Sequence, residues 1–376
     1  MAHMNMNTHK NTGNYSYPSN RRNAVRMQRR MTVVFCLIIC IVCLIIGFFQ
    51  IKNLLSDKEK TIDPTSSSSI PDTSIPVSSS DTTDTQASQE TTTSSQAVTA
   101  DERAAMLAQL NTDISALIES ESGRYSVYYI NMNNNETLAI NEQDPMVAAS
   151  SIKIAFNTYL YQQVAAGACA MTDTMNYNAA AYPDGDYEAG TGTIQNSADQ
   201  TEYTLQQISN LSITISDNCA TNMLLRKLGG SDSVNENYLV PISSIVNYRS
   251  SVSYTDYTGA TSSGKNRTCA EDLALYAKNL YLLYTESPDA YQGLITDLCN
   301  TEYDWGVPSG VPDEYEVAHK VGFNPSYGSN NDVGIVFAQE DYVLCVMTES
   351  ADGANAQAVI GQISSLIYNY VSGCYS

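Results

Sequence analysis

Basic residues are scarce over most of this 376-residue chain. Beyond Lys60 there are ten Lys and Arg against 38 Asp and Glu, a net charge of −28. Residues 1–60 hold nine basic and two acidic residues and carry +7. A body this acidic excludes nucleic acid and other polyanions as general partners. Histidine is scarcer still, with three in the chain and no cluster among them. That argues against a metal site, and no cofactor is implied. The six body cysteines, at 169, 219, 269, 299, 345 and 374, include no close CxxC pair. In an exported domain they allow fifteen pairings into three disulfides, and the sequence does not choose among them.

Charge is missing altogether from Met31 to Phe49, "MTVVFCLIICIVCLIIGFF". Nineteen apolar positions suffice for a helix across a hydrocarbon core, so a membrane anchor is expected over 31–51. Cys36, Cys40 and Cys43 lie within it as apolar packing residues. Arg21, Arg22, Arg26, Arg29 and Arg30 precede the span, which places a basic tail, 1–30, in the cytoplasm. Lys52, Lys58 and Lys60 weaken that asymmetry, with Asp57 and Glu59 among them. No small-x-small site for signal-peptide cleavage follows. Residues 52–99 are mostly Ser, Thr, Asp, Gln and Pro and have too little apolar surface to fold, which reads as a disordered tether.

The globular body is expected over 100–376. "DERAAMLAQLNTDISALIES" has helical periodicity through Met106, Leu110, Ile114 and Leu117. "RYSVYYINM" and "ETLAINE" form a hairpin signature joined by Asn-rich turn residues. A helix opens at "AASSIKIAF" and ends near Gly167. "TLQQISNLSITIS" and "NCATNMLLRKL" are two helices around a short break, stopped by Gly229-Gly230. Thr268 with Glu271 fits a capping box at the start of "TCAEDLALYAKNLYLLY". "YEVAHKVGF", "DVGIVFAQ" and "YVLCVMTE" are three consecutive antiparallel strands, and a helix over about 355–371 closes the chain. Strands at both ends around a helical middle predict an α+β domain whose terminal segments share one sheet.

Three short motifs carry chemistry. Ser150 and Lys153 are i and i+3 on one helical face, so the amine can approach the hydroxyl. A serine needs a base to become a nucleophile, and a buried lysine with a lowered pKa can supply one. S-x-x-K alone is weak, since Ser262 to Lys265, "SSGK", repeats it in a polar loop. But Ser216-Asp217-Asn218 follows at a helix break, and Lys320-Val321-Gly322 follows on a strand. S-x-x-K, S-D-N and K-T-G in this order resemble the signature set of serine β-lactamases and penicillin-binding proteins. "GTGTIQ" (190–195), "SDNCATNMLL", the Gly-Gly stop and "NRTCAEDLALY" are similar to landmarks of the class A β-lactamase-related branch.

The resemblance implies an antiparallel sheet flanked by helices plus an all-helical subdomain, with the active site between them. It implies Ser150 as the acylated nucleophile, Lys153 as its proton acceptor and Ser216 as a proton relay to the leaving group, with Lys320 assisting electrostatically. Asn218 would touch the acyl side of the substrate. The backbone N–H groups of Ser150 and Phe323 would form the oxyanion hole, and Gly322 would leave room for substrate along the strand. Asp217 and His319 are expected to be structural.

Two departures limit the transfer. The family's Glu-x-x-Leu-Asn segment, whose Glu activates the deacylating water, is absent. Between Gly230 and Thr268 the acidic residues are Asp232, Glu236 and Asp256, and none sits in that motif. Val321 stands where the family offers a hydroxyl to a substrate carboxylate. Both argue against an efficient penicillinase. The expectation is an extracytoplasmic serine hydrolase on a bacterial cell membrane, single-pass, acting on a small-molecule or peptide acyl substrate. The competing readings are a D,D-carboxypeptidase or transpeptidase on cell-wall peptides, an acyltransferase to a small acceptor, and a non-catalytic sensor. Tyr254 and Tyr257 are candidates for an aromatic rim, and oligomeric state is left open.

Overall fold

The structure, a computed structural model, describes residues 98–375. The expected basic tail, the membrane span and all but the end of the tether lie outside the described residues. Among the described residues no helix is long and apolar enough to cross a membrane.

Helix α1 (Ala100–Glu119) starts at Thr99, whose side chain accepts from the Glu102 N–H while the Glu102 carboxylate takes the Thr99 N–H. Strands β1 (Arg124–Asn131) and β2 (Thr137–Ile140) form the expected hairpin. Three more strands, β3 (Glu316–Asn324), β4 (Ser329–Phe337) and β5 (Tyr342–Glu349), complete a five-stranded sheet of order β2-β1-β5-β4-β3. All its pairings are antiparallel, and Val127 lies opposite Val346 where the first and last strands meet. The terminal segments therefore share one sheet, as their β-rich runs predict, and β3 is left at the edge.

Side-chain alternation gives the sheet two buried faces. On β5, Tyr342, Leu344 and Val346 pack with Ile114 and Ile363 under α1 and the closing helix α7 (Gly353–Gly373). Val343, Cys345 and Met347 face the helical layer instead. That layer contains α2 (Lys153–Ala165), α3 (Leu205–Thr214), α4 (Asn218–Lys227), α5 (Ala270–Glu286) and α6 (Pro288–Cys299). Burying each such aliphatic side chain contributes roughly 1.5–3 kcal/mol, which accounts for the continuous apolar run of β5 from Tyr342 to Met347.

Three local expectations change. The α5 cap is Cys269, whose sulfur accepts from the Asp272 N–H, because Thr268 is taken up in a two-residue ladder with Met146. Helix α6 has no counterpart in the sequence reading. Ser150 sits in a 3-10 turn, Ala149–Ile152, ahead of α2 rather than within an α-helix. Residues i and i+3 eclipse in a 3-10 turn, so the Ser150–Lys153 relationship survives. The six body cysteines are free thiols.

Candidate active site

The turn that carries Ser150 is held from below by the sheet. Val147 pairs with Arg267, and the Ala148 N–H donates to Asn266 O at 3.3 Å. Asn331 on β4 donates through Nδ2 to the carbonyls of Val147 (2.9 Å) and Ala148 (3.1 Å). These contacts fix Ala149 at φ +48°, a left-handed conformation disfavoured for a residue with a Cβ. The strained residue immediately precedes the serine. The N–H of Ser150 falls in the first turn, where helical geometry supplies no acceptor.

Lys153 is buried, and its ammonium has three acceptors: Ser216 O at 2.8 Å, Asn218 Oδ1 at 3.0 Å and Ser216 Oγ at 3.2 Å. The first and second motifs, 63 residues apart in sequence, therefore meet at one nitrogen. Burial pulls the Lys153 pKa down to about 8, against the opposing pull of Glu188 and then Asp217. Ser216 reaches the amine from a φ of +56° in the break between α3 and α4.

Asp217 shapes that break. Its Oδ1 accepts from the Ala220 N–H at 2.9 Å and caps α4, while Oδ2 accepts from Thr193 (2.6 Å) and Ile194 (2.9 Å). The "GTGTIQ" loop is thereby drawn onto the helix start, and Thr191 Oγ1 donates to Ser216 O at 2.6 Å. A Cβ on Gly192 would lie 2.2 Å from Asp217 Cγ, so only glycine lets the loop wrap this closely.

The third motif lies on edge strand β3. Lys320 is fully buried, with Nζ donating to Val321 O at 3.0 Å and lying 5.5 Å from the Tyr303 ring centre. Burial, reinforced by the nearby Lys153 charge, holds its pKa well below the ordinary lysine value despite Asp332. His319, on the same strand, is held by Asp332 at 3.0 Å and by the Tyr303 carbonyl at 3.1 Å. Tyr303 in turn packs edge-on against Phe323, 5.9 Å between ring centres. Gly322 has a role other than making room for substrate. A Cβ there would meet Ser151 N at 2.5 Å and Ser150 N at 3.0 Å, so the glycine lets β3 close on the nucleophile turn.

These elements enclose a cavity of about 670 Å³. Ser150, Lys153, Asn218 and Phe323 line it, whereas Ser216, Lys320 and Gly322 are buried and do not. Val321 is buried and does not line the cavity. Neither Tyr254 nor Tyr257 forms its rim, and the tyrosines that line it are Tyr182, Tyr248 and Tyr327. Asp232 is bound to Arg249 at 2.6 Å, Glu236 is exposed, and Asp256 accepts from its own turn. None of these three lines the cavity. Among the described residues Glu188 is its only lining carboxylate, and Asn222 Nδ2 donates to it at 3.0 Å. Glu188 lies outside the 230–268 interval and in no motif, so no sequence pattern marks it.

The beta-lactamase enzyme family model matches residues 109–371. A Bacillus licheniformis beta-lactamase is 25% identical over 259 residues, 66% of this chain and 78% of that protein. Beta-lactamase 3 of Bacillus cereus is 28% identical over 233 residues, 59% of this chain and 68% of that protein. Among solved structures, PBP-A superposes with a TM-score of 0.61 at 23% identity, covering 71% of this chain and 97% of that one. The fold, the three convergent motifs and the matched span agree: this chain belongs to the beta-lactamase enzyme family and is a serine hydrolase of the acyl-enzyme type.

Proposed function

We propose that this chain is a membrane-anchored, extracytoplasmic acyl-serine hydrolase in which Ser150 is the nucleophile and Lys153 its proton acceptor, and that it is not an efficient penicillinase. The arrangement of Lys153 carries the reading. A lysine whose pKa is brought to about 8 in the wall of the Ser150 cavity has an accessible neutral form near physiological pH.

Neutral Lys153 takes the hydroxyl proton as Ser150 Oγ bonds to the acyl carbon. The developing oxyanion is met by the N–H groups of Ser150 and Phe323. The proton passes from Lys153 through Ser216 Oγ, 3.2 Å away, to the leaving group as its bond to the acyl carbon breaks. Lys320 is assigned the electrostatic support of this relay, a role that requires its ammonium form against the downward pull of burial. Water or another acceptor then releases the acyl group, and Ser150 regains its proton. Asn218, which lines the cavity while bonding Lys153, is assigned to the acyl side of the substrate.

Slow release after β-lactam acylation is the expectation, because no carboxylate between Gly230 and Thr268 lines the cavity and the one that does, Glu188, is engaged by Asn222 at 3.0 Å. The same observation favours a second reading, a D,D-peptidase acting on cell-wall stem peptides. Intact-mass measurement after incubation with benzylpenicillin, a simple ester and a D-Ala-D-Ala peptide tests both. A long-lived adduct on the wild-type chain, absent from Ser150→Ala, is expected. Rapid nitrocefin turnover would instead give the activity that the names of the two Bacillus relatives state. Unchanged turnover by Ser150→Ala would remove the reading. Membrane fractionation with external protease tests the anchor and its orientation.

A further inference from the structure

We propose that the cavity contains a built subsite for a carboxylate group of the substrate, formed by Arg267 and Lys265. The reaction it serves rests on the Ser150 reading above, but the subsite can be tested without that reaction.

Arg267 lines the cavity yet is only 6% exposed. Its guanidinium carbon lies 3.8 Å from the Tyr254 ring centre and 5.7 Å from that of Tyr327. Nη1 donates to Lys265 O at 3.1 Å, and buried Nε has no hydrogen-bond partner. No carboxylate among the described residues lies within ion-pair distance of it. Glu349 feels its charge, but that carboxylate is bound to Arg124 at 2.9 Å. A guanidinium taken this far out of water with only aromatic faces and one carbonyl around it is under-compensated.

Its surroundings do not correct the imbalance. Lys265 is exposed, lines the same cavity and forms no ion pair among the described residues. Arg249 also lines it, with Asp232 as its partner. Four of the ten basic residues beyond Lys60 (Lys153, Arg249, Lys265 and Arg267) therefore converge on one cavity of a strongly acidic body. Asp and Glu outnumber Lys and Arg almost fourfold beyond Lys60, yet among the described residues Glu188 is the one carboxylate that lines the cavity.

The location ties the subsite to the reacting carbon. Arg267 is the ladder partner of Val147, three residues before Ser150. Tyr327 lies on the turn that leaves β3 just beyond Phe323. An anion here sits at the β3 exit side of the nucleophile and uses neither Lys320 nor position 321. A guanidinium in a cavity that Lys265 also lines suits a planar carboxylate, and the lining Tyr327 ring suits the apolar stem that carries it.

The test is equilibrium binding of hippurate and of its neutral isostere hippuramide to the full chain carrying Ser150→Ala, by calorimetry. Hippurate is expected to bind at least about tenfold more tightly, with the gap narrowing as salt is raised. Lys265→Gln, at an exposed position, should reduce the preference severalfold, and Arg267→Gln should abolish it. Equal affinity for the two probes, no binding of hippurate, or a preference unchanged by Lys265→Gln would overturn the subsite. Covalent labelling of wild-type Ser150 judges the nucleophile separately.

Discussion

Lys153 Nζ lies 3.2 Å from Ser216 Oγ and 2.8 Å from Ser216 O, in a buried pocket that neither residue forms alone. That contact joins the start of α2 to the α3–α4 break, and the burial it shares sets the protonation state of the site. Since burial brings Lys153 to a pKa of about 8, its neutral form is a minority at neutral pH and becomes the major form above that value. The acylation rate of Ser150 should rise with pH, about tenfold per unit below the midpoint, and level off above it. Stopped-flow labelling between about pH 6 and pH 9 checks this, and a flat profile would contradict Lys153 as the base.

Glu188 modulates the same amine. Its carboxylate stabilises the ammonium form, opposing the larger effect of burial. Glu188→Gln should therefore move the midpoint of the acylation profile to lower pH and raise the rate below it roughly two- to threefold. A midpoint displaced upward would show that the carboxylate acts on something other than Lys153.

Asp217 is predicted to matter for stability. It satisfies three backbone N–H groups with two oxygens and is itself fully buried. Asp217→Ala removes a helix cap and leaves loop donors unpaired, for a loss of about 2–4 kcal/mol in urea unfolding. Asp217→Asn, which keeps one acceptor oxygen, should lose less. Equal losses for the two variants would mean that the hydrogen bonds are not the source.

Gly322 gives the sharpest steric test. A methyl group there meets the backbone nitrogens of Ser150 and Ser151. Gly322→Ala should destabilise the domain by roughly 1–3 kcal/mol. It should also slow Ser150 labelling by at least about tenfold, because the nucleophile turn is displaced. Unchanged labelling with lowered stability would separate packing of the turn from positioning of the serine.

Much of the architecture was legible because it depends on local patterns. The β-rich runs of β4 and β5, the helix break at Ser216-Asp217-Asn218 and the stop at Gly229 and Gly230 are all encoded within a few residues of where they act. Helix α6 was missed, and the α5 cap was displaced by one residue because Thr268 is claimed by pairing with Met146, more than a hundred residues away. No local pattern reports such a competition.

For the site, the order of motifs in the sequence determined which residues to compare: Ser150 with Lys153, then Ser216 with Asn218, then Lys320 with Gly322. The tertiary structure decided what each does there. It turned Gly322 from a substrate groove into a contact with the nucleophile turn, and placed Val321 outside the cavity. It also selected Glu188, Lys265 and Arg267 as lining charges, none of which belongs to the three motifs. The physical reason is that a motif encodes spacing along one segment. Burial, charge balance and the pKa of Lys153 depend on groups that only the folded chain brings within a few ångströms of each other.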